Sequence, residues 1–426
     1  MTMTTTIKQW QTRRLGELAE FRNGVNYDKR NFGRGVKIVG VRDFQDYIKP
    51  NWTQLDEINP RGVVAEGDVL QHDDILFVRS NGNRDLIGRS LYIDNPTEEV
   101  THSAFTIRLR FISNDVYPRF YAYLFRTPFI RKSLTASGSG TNISNLNQMI
   151  LSQLQVPQPP LSVQHKVAAI LSAYDDLIEN NNRRIKILEE MAQAIYREWF
   201  VSFRFPGHEN GKMADSSLGR IPERWEAVTL RDVTRYINRG ISPIYDDNSD
   251  TLVLNQRCIR DGKINPELSR KQSKQVPQEK FVQFGDVLIN STGVGTLGRV
   301  AQLYETVENC TVDSHVTIAR ANKRVNLDYF GFHLLGLQHR FEHSGTGTTG
   351  QTELSRETIA NCDFLLPSMD LQNSFSDTVS GMRQAIAIMA RANSNLRATR
   401  DLLLPRLISG EVDVSKLDAE EVTAPA

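Results

Sequence analysis

A few groupings in this 426-residue chain have the types and spacings that chemistry uses. Asp261-Gly-Lys263 is half of the Asp/Glu-x-Lys arrangement by which nucleases hold a metal, but the related Asp43-Phe-Gln45 lacks the lysine and an ordinary β-turn accounts for it better. His339 and His343 lie four apart on an expected helix and so share one face. With no third ligand nearby, a solvated or DNA-facing surface explains them better than a metal. Cys258, Cys310 and Cys362 are odd in number and widely spaced. They fit neither a disulfide framework nor a zinc site, and free thiols in a reducing cytoplasm are expected. Nucleophile elbows, zinc-protease helices, phosphate loops and the Asn/Asp-Pro-Pro-Tyr/Phe tetrapeptide of amino-methylating enzymes are all missing. These absences weigh against an autonomous DNA methyltransferase or nuclease.

Binding chemistry remains. The loop Arg79-Ser-Asn-Gly-Asn-Arg84 supplies guanidinium forks for guanine edges or phosphates, and Asn81 and Asn83 supply amides that can pair with adenine. Arg89 closes this loop. A less basic partner runs from Asn290 and Ser291 to Arg299. Two Gly-rich stretches follow, one with Ser139, Gly140, Thr141 and Asn142, the other with Gly345, Thr346, Gly347, Thr348 and Gln351. Their hydroxyls and free backbone N–H groups suit a phosphate or a groove, although plain turns have the same composition. The segment between Asp115 and Asp175 has no carboxylate but keeps Arg119, Arg126, Arg131 and Lys132. It reads either as a phosphate-facing surface or as a half-buried, hydrogen-bonded segment.

The elements that must position these loops occur twice. WQTRRLGELAEFRNG from Trp10 answers WEAVTLRDVTRYINRG from Trp225, and Val41-Arg-Asp43 answers Ile259-Arg-Asp261. DILFVRSNGNRDLIGR from Asp74 answers DVLINSTGVGTLGR from Asp286, and HSAFTIRLR from His102 answers DSHVTIARA from Asp313. In each copy an apolar strand leads into a polar loop that ends in Gly-Arg. Each copy is followed by a long helical segment. In the first, Ile170, Tyr174, Leu177, Ile185, Leu188, Ala192, Ile195 and Trp199 recur at three- and four-residue spacing, with a polar break near Asn181. The second offers Met382, Ala385, Met389, Leu396, Leu403 and Leu407, with Asn393 near the corresponding break. Such stripes predict an antiparallel coiled coil roughly 55–60 Å long, the alternative being two independent helices each packed on its own domain.

The expected layout is 1–160 first repeat unit, 161–205 first helix, 206–224 linker, 225–368 second repeat unit, 369–410 second helix and 411–426 acidic tail. Net charge is +1, with 39% hydrophobic and 24% charged residues, the balance of a globular protein. No apolar run is long enough to span a bilayer, and the threonine-rich start lacks a secretory signal's apolar core, so a cytoplasmic location is expected.

The combination of DILFVRSNG, DVLINSTGV, SGSGTNISNLNQ, AQAIYREWFVSFRFPG, LGRIPERWEAVTLRDV and LLLPRLISGEVDV, in this order, resembles the specificity subunits of type I restriction–modification enzymes. The resemblance implies an α+β fold of two target-recognition domains separated by two long antiparallel helices, with pseudo-two-fold symmetry. It implies a DNA-binding subunit with no catalysis of its own. Each domain would read half of a bipartite asymmetric site, and the helices would set the spacing. The implied partners are double-stranded DNA, two modification subunits and, through them, restriction subunits. S-adenosylmethionine, ATP and Mg2+ would be held by those partners and not by this chain.

Overall fold

The computed structural model describes residues 10–44, 47–136, 145–305, 307–345 and 353–417. The chain divides into two compact units, residues 1–182 with 390–426, and residues 183–389.

In unit 1 the run Ile75–Val78 is buried at every position, the pattern of a strand covered on both faces. It lies inside a four-stranded antiparallel sheet ordered Ala19–Asn23, Thr106–Phe111, Ile75–Val78, Ser90–Tyr92. A three-stranded sheet sits beside it, ordered Asp56–Ile58, Phe32–Val39, Val100–His102, with the last two strands parallel. Thr12–Arg14 pairs with Gln155–Pro157 and closes the unit.

Unit 2 repeats this scheme strand for strand. Its four-stranded sheet runs Thr234–Arg239, Val316–Ala321, Val287–Asn290, Val300–Gln302. Its three-stranded sheet runs Arg270–Gln272, Thr251–Leu254, Cys310–Val312, again with the last two parallel. Glu226–Thr229 pairs with Asp363–Leu366.

A shared ion pair anchors both sheets. Asp74 accepts from the Gln71 N–H and from Nε and Nη2 of Arg110, each at 2.7 Å. Asp286 accepts from the Gln283 N–H at 2.7 Å and from Arg320 at 2.7 and 2.8 Å. This pairing corrects the repeat register. Leu109 pairs with Ile75 where Ala319 pairs with Val287, and Val25 bridges Ser103 where Ile241 bridges Asp313. The counterpart of Ser103 is therefore Asp313, one residue from the alignment read in the sequence. Likewise Val41–Asp43 forms one helical turn, whereas Ile259–Asp261 enters a hairpin. The structural counterpart of Val41–Asp43 is the turn Gln256–Cys258.

Helices Leu161–Tyr196 and Met369–Ile408 are long, as the resemblance implied. Their expected seam is rotated. Leu177 is exposed, and the buried stripe runs through Val167, Leu171, Ile178, Ile185, Ala192, Tyr196 and Phe200. Nor do the helices stand apart from globular cores. Val163, Val167, Leu171, Leu404, Leu407 and Ile408 belong to the unit 1 core, and Ala192, Tyr196, Phe200, Phe375 and Val379 to that of unit 2. Within unit 1 the two helical stretches run antiparallel. Asn393 takes a hydrogen bond from Asn181 and gives one to Asn182, both at 2.9 Å, while Arg400 pairs with Asp175. Residues 213–222, expected within a linker, form the hairpin Met213–Ser216 with Gly219–Pro222.

Candidate nucleic-acid interface

The buried Ile75–Val78 strand delivers the chain at Arg79, and the loop that follows is bound to the sheet through its backbone. Arg79 N–H donates to Phe105 O at 2.8 Å, and Leu146 N–H donates to Arg79 O at 2.8 Å. Two Asx turns then fold the loop on itself. Asn81 Oδ1 accepts from Asn83 N–H at 2.8 Å, and Asn83 Oδ1 from Asp85 N–H at 3.0 Å. These bonds fix both amides. One tight helical turn, Arg84–Leu86, follows. Gly88, at φ 73°, returns the chain so that its N–H reaches Val78 O at 2.9 Å.

Arg131 clamps this turn, with Nη1 on Ile87 O at 3.0 Å and Nη2 on Asp85 O at 2.7 Å. Arg126 reaches Tyr47 O at 3.1 Å, and burial lowers its pKa. Arg119 is a partly buried neighbour of Asp176. Of the two readings of the carboxylate-free segment, the half-buried one thus describes these arginines, hydrogen-bonded at Arg126 and Arg131, and Lys132 alone of the four is exposed. Of the three, Arg131 is the one that supports the loop.

The guanidinium groups of Arg79 and Arg84 have no hydrogen-bond or ion-pair partner among the described residues, and Arg84 is exposed. Arg89 instead points Nη1 at Phe44 O, 3.4 Å away.

The unit 2 loop is arranged otherwise, and two expected contact residues are corrected. Asn290 and Ser291 are both fully buried. Asn290 Nδ2 donates to Gln256 O at 3.0 Å, and Ser291 Oγ lies 2.6 Å from Thr317 Oγ1. The physical reason is register. Asn290 ends the core strand in the place of Val78, so its side chain is directed by the sheet, not by the loop. Arg299 turns back on its own loop, Nη2 to Gly295 O at 2.8 Å. The exposed tip is Val294 with Gly295.

Arg257, which sequence reasoning missed, supplies a cation beside this loop. It is exposed, has no side-chain partner among the described residues, and follows Gln256, whose carbonyl anchors Asn290. Its counterpart Arg42 is neutralised by Asp56 at 2.6 Å. The available signal was the Asx turn at Asn255, whose Oδ1 accepts from Arg257 N–H at 2.9 Å. Matching Val41–Asp43 to Ile259–Asp261 concealed it.

Ser139, Gly140, Thr141 and Asn142 lie outside the described residues, as do Thr346, Gly347, Thr348 and Gln351. Gly345 is half-buried. Described residues flanking both Gly-rich stretches pair with the loops, Asn145 with Ser80 and Glu353 with Thr292.

The other chemistry-bearing groupings have structural explanations. Asp261 and Gly262, at φ 52° and 72°, form a two-residue hairpin turn, and Lys263 pairs with Glu189 at 2.8 Å. His343 Nδ1 lies 2.8 Å from His339 O. Among the described residues no group of three His, Cys, Asp or Glu is placed to hold a metal. All three cysteines are free and buried, and burial raises each thiol's pKa, that of Cys310 to about 12. No described helix is long and apolar enough to cross a membrane.

Fold and loops together define a class: two copies of one α+β scaffold, each presenting a differently equipped polar loop, with two long helices. Residues 7–190 match the family model for the type I restriction modification DNA specificity domain. Along most of its length the chain is similar to the specificity subunits of type I restriction–modification systems. It is 25% identical to the type I restriction enzyme MjaIX specificity subunit of Methanocaldococcus jannaschii over 312 residues, 71% of each chain. It is 23% identical to the putative MjaX specificity subunit of the same organism, over 96% of this chain and 94% of that one. The crystal structure of a type I restriction-modification S subunit from M. genitalium shares the fold, with a TM-score of 0.56 at 15% identity over 96% of this chain and 98% of that one.

Proposed function

We propose that this chain is the non-catalytic DNA-reading subunit of its complex. Each unit reads one half of a bipartite asymmetric site, and the long helices set the spacing and dock two modification subunits. Those partners hold the S-adenosylmethionine. Restriction subunits using ATP and Mg2+ join through them, and the complex works in the cytoplasm. Arg79 and Arg84 are the contact groups of unit 1 and Arg257 of unit 2, with Arg89 and Arg299 shaping the loops. The Gly-rich stretches with Ser139–Asn142 and Thr346–Gln351 approach the phosphates.

The observation that carries this reading is one scaffold occurring twice with different loops. A symmetric reader requires a palindromic site, and two diverged copies accept two different half-sites. The test replaces residues 1–160 with the matching unit of a relative, assembles the complex with modification subunits and maps methylated adenines. One half of the recognised sequence is expected to change while the other stays. If both halves changed together, or if the purified chain alone methylated or cut DNA, the reading would fail.

A further inference from the structure

Each unit presents one more side chain beside its loop, on a turn held from several directions. In unit 1 this is Ser103–Thr106. Ala104 N–H donates to Val25 O at 2.8 Å, and Thr106 N–H to Ser103 O at 2.9 Å. Thr106 Oγ1 donates to Ser103 O at 2.8 Å and lies 2.9 Å from Nδ1 of the buried His102. Phe105 O accepts from both Arg79 N–H and Ser80 N–H, at 2.8 and 3.4 Å. With its backbone thus fixed, the Phe105 ring is 60% exposed.

A single exposed apolar residue is ordinary. This one differs because its carbonyl is bonded to the backbone of the loop residue Arg79, and because unit 2 builds the same turn with another tip. There Val316 N–H donates to Asp313 O at 3.2 Å, and Ser291 N–H to His315 O at 2.8 Å. The exposed His315 ring places Nδ1 2.6 Å from Thr292 Oγ1, and its Nε2 has no partner among the described residues. The scaffold is the same, and the side chain offered has changed from apolar to hydrogen-bonding.

We propose that Phe105 and His315 are specificity-determining residues, each selecting a base pair in the half-site read by its own unit; this rests on the DNA-reading function above. Phe105 takes an apolar base edge, which in the major groove is the thymine methyl, and His315 takes a polar edge through Nε2.

The test uses the complex assembled from the full chain and its modification subunits. Methylated adenines are mapped for the wild type, F105A, F105L and H315A. Competition binding then compares the cognate duplex with duplexes in which each thymine of the unit 1 half-site is replaced by deoxyuridine. The wild type is expected to lose roughly tenfold at one thymine, F105L to keep most of that preference and F105A to lose it. H315A is expected to relax one position in the other half-site alone. A wild-type complex that methylated no two-part site would overturn the DNA-reading function itself. A two-part site with unchanged discrimination in F105A would overturn the Phe105 assignment alone, as would an equal loss of affinity on every duplex. Melting temperature matching the wild type shows that the exposed substitutions leave the fold intact.

Discussion

The two units share a scaffold and distribute positive charge over it in opposite ways. In unit 1 the loop itself carries guanidinium groups with no partner among the described residues, Arg79 and Arg84, while the neighbouring Arg42 is neutralised by Asp56. In unit 2 the loop arginine, Arg299, is spent on Gly295 O, and the neighbouring Arg257 side chain has no partner among the described residues. The available cation thus lies on different loops of the two units, although their four- and three-stranded sheets have the same order. Sheets tolerate this because their stability comes from buried strands and anchors, and loops can change with little effect on either. Such a scaffold can acquire a new recognition surface while keeping its core.

The largest expected effect tests whether the anchors are equivalent. Arg320 is buried against a fully buried Asp286, whereas Arg110 is about a quarter exposed. R320A should destabilise unit 2 by about 3–5 kcal/mol, since an uncompensated carboxylate stays buried. R110A should cost unit 1 less because water can reach the gap. Calorimetric melting of the two variants decides it, and equal losses would make the anchors interchangeable.

Next comes the charge distribution itself. R84A and R257A should each weaken specific DNA binding by the complex by about 1–3 kcal/mol if the guanidinium reads a base edge. R299A should do less, because that group is already committed. Titrations at several salt concentrations separate base contacts from phosphate contacts, which flatten the salt dependence. An R299A loss as large as that of R84A would invert the comparison.

The smallest effect concerns pH. Burial lowers the pKa of His102 from 6.5 to about 3, so it stays neutral in the folded state. Below about pH 6.5 the unfolded chain binds a proton that the folded chain does not, so stability falls as pH falls. The contribution at pH 5 is a loss of about 2 kcal/mol relative to neutral pH. The counterpart in unit 2 is Val312, which does not titrate. H102V should therefore flatten the acid limb of unit 1, as read by urea unfolding at pH 7 and 5. An unchanged slope would place the acid sensitivity elsewhere.

The amino-acid sequence by itself determined the duplication, the α+β class, the long helices, the paired Gly-Arg loops and the family resemblance. All of these rest on order and local pattern, which a chain carries whether or not it is folded. Tertiary structure decided which side chains face out. Side chains alternate along a strand, so one residue of register separates a contact group from a core group. Register is set by partner strands, here Val287 against Ala319 and Ile75 against Leu109. Asn290 looked like a base reader and proved to be the end of a core strand for that reason. The buried helix stripe includes Ile178 and not Leu177, and its ends lie in the cores, Val167 and Leu171 in unit 1 and Ala192 and Tyr196 in unit 2. Whether an arginine is free was likewise invisible in one dimension. Arg42 meets Asp56, and Arg131 meets carbonyls 44 and 46 residues away, whereas Arg84 and Arg257 meet no described partner. A guanidinium's partners are chosen by the fold, and local sequence does not encode the distance between them.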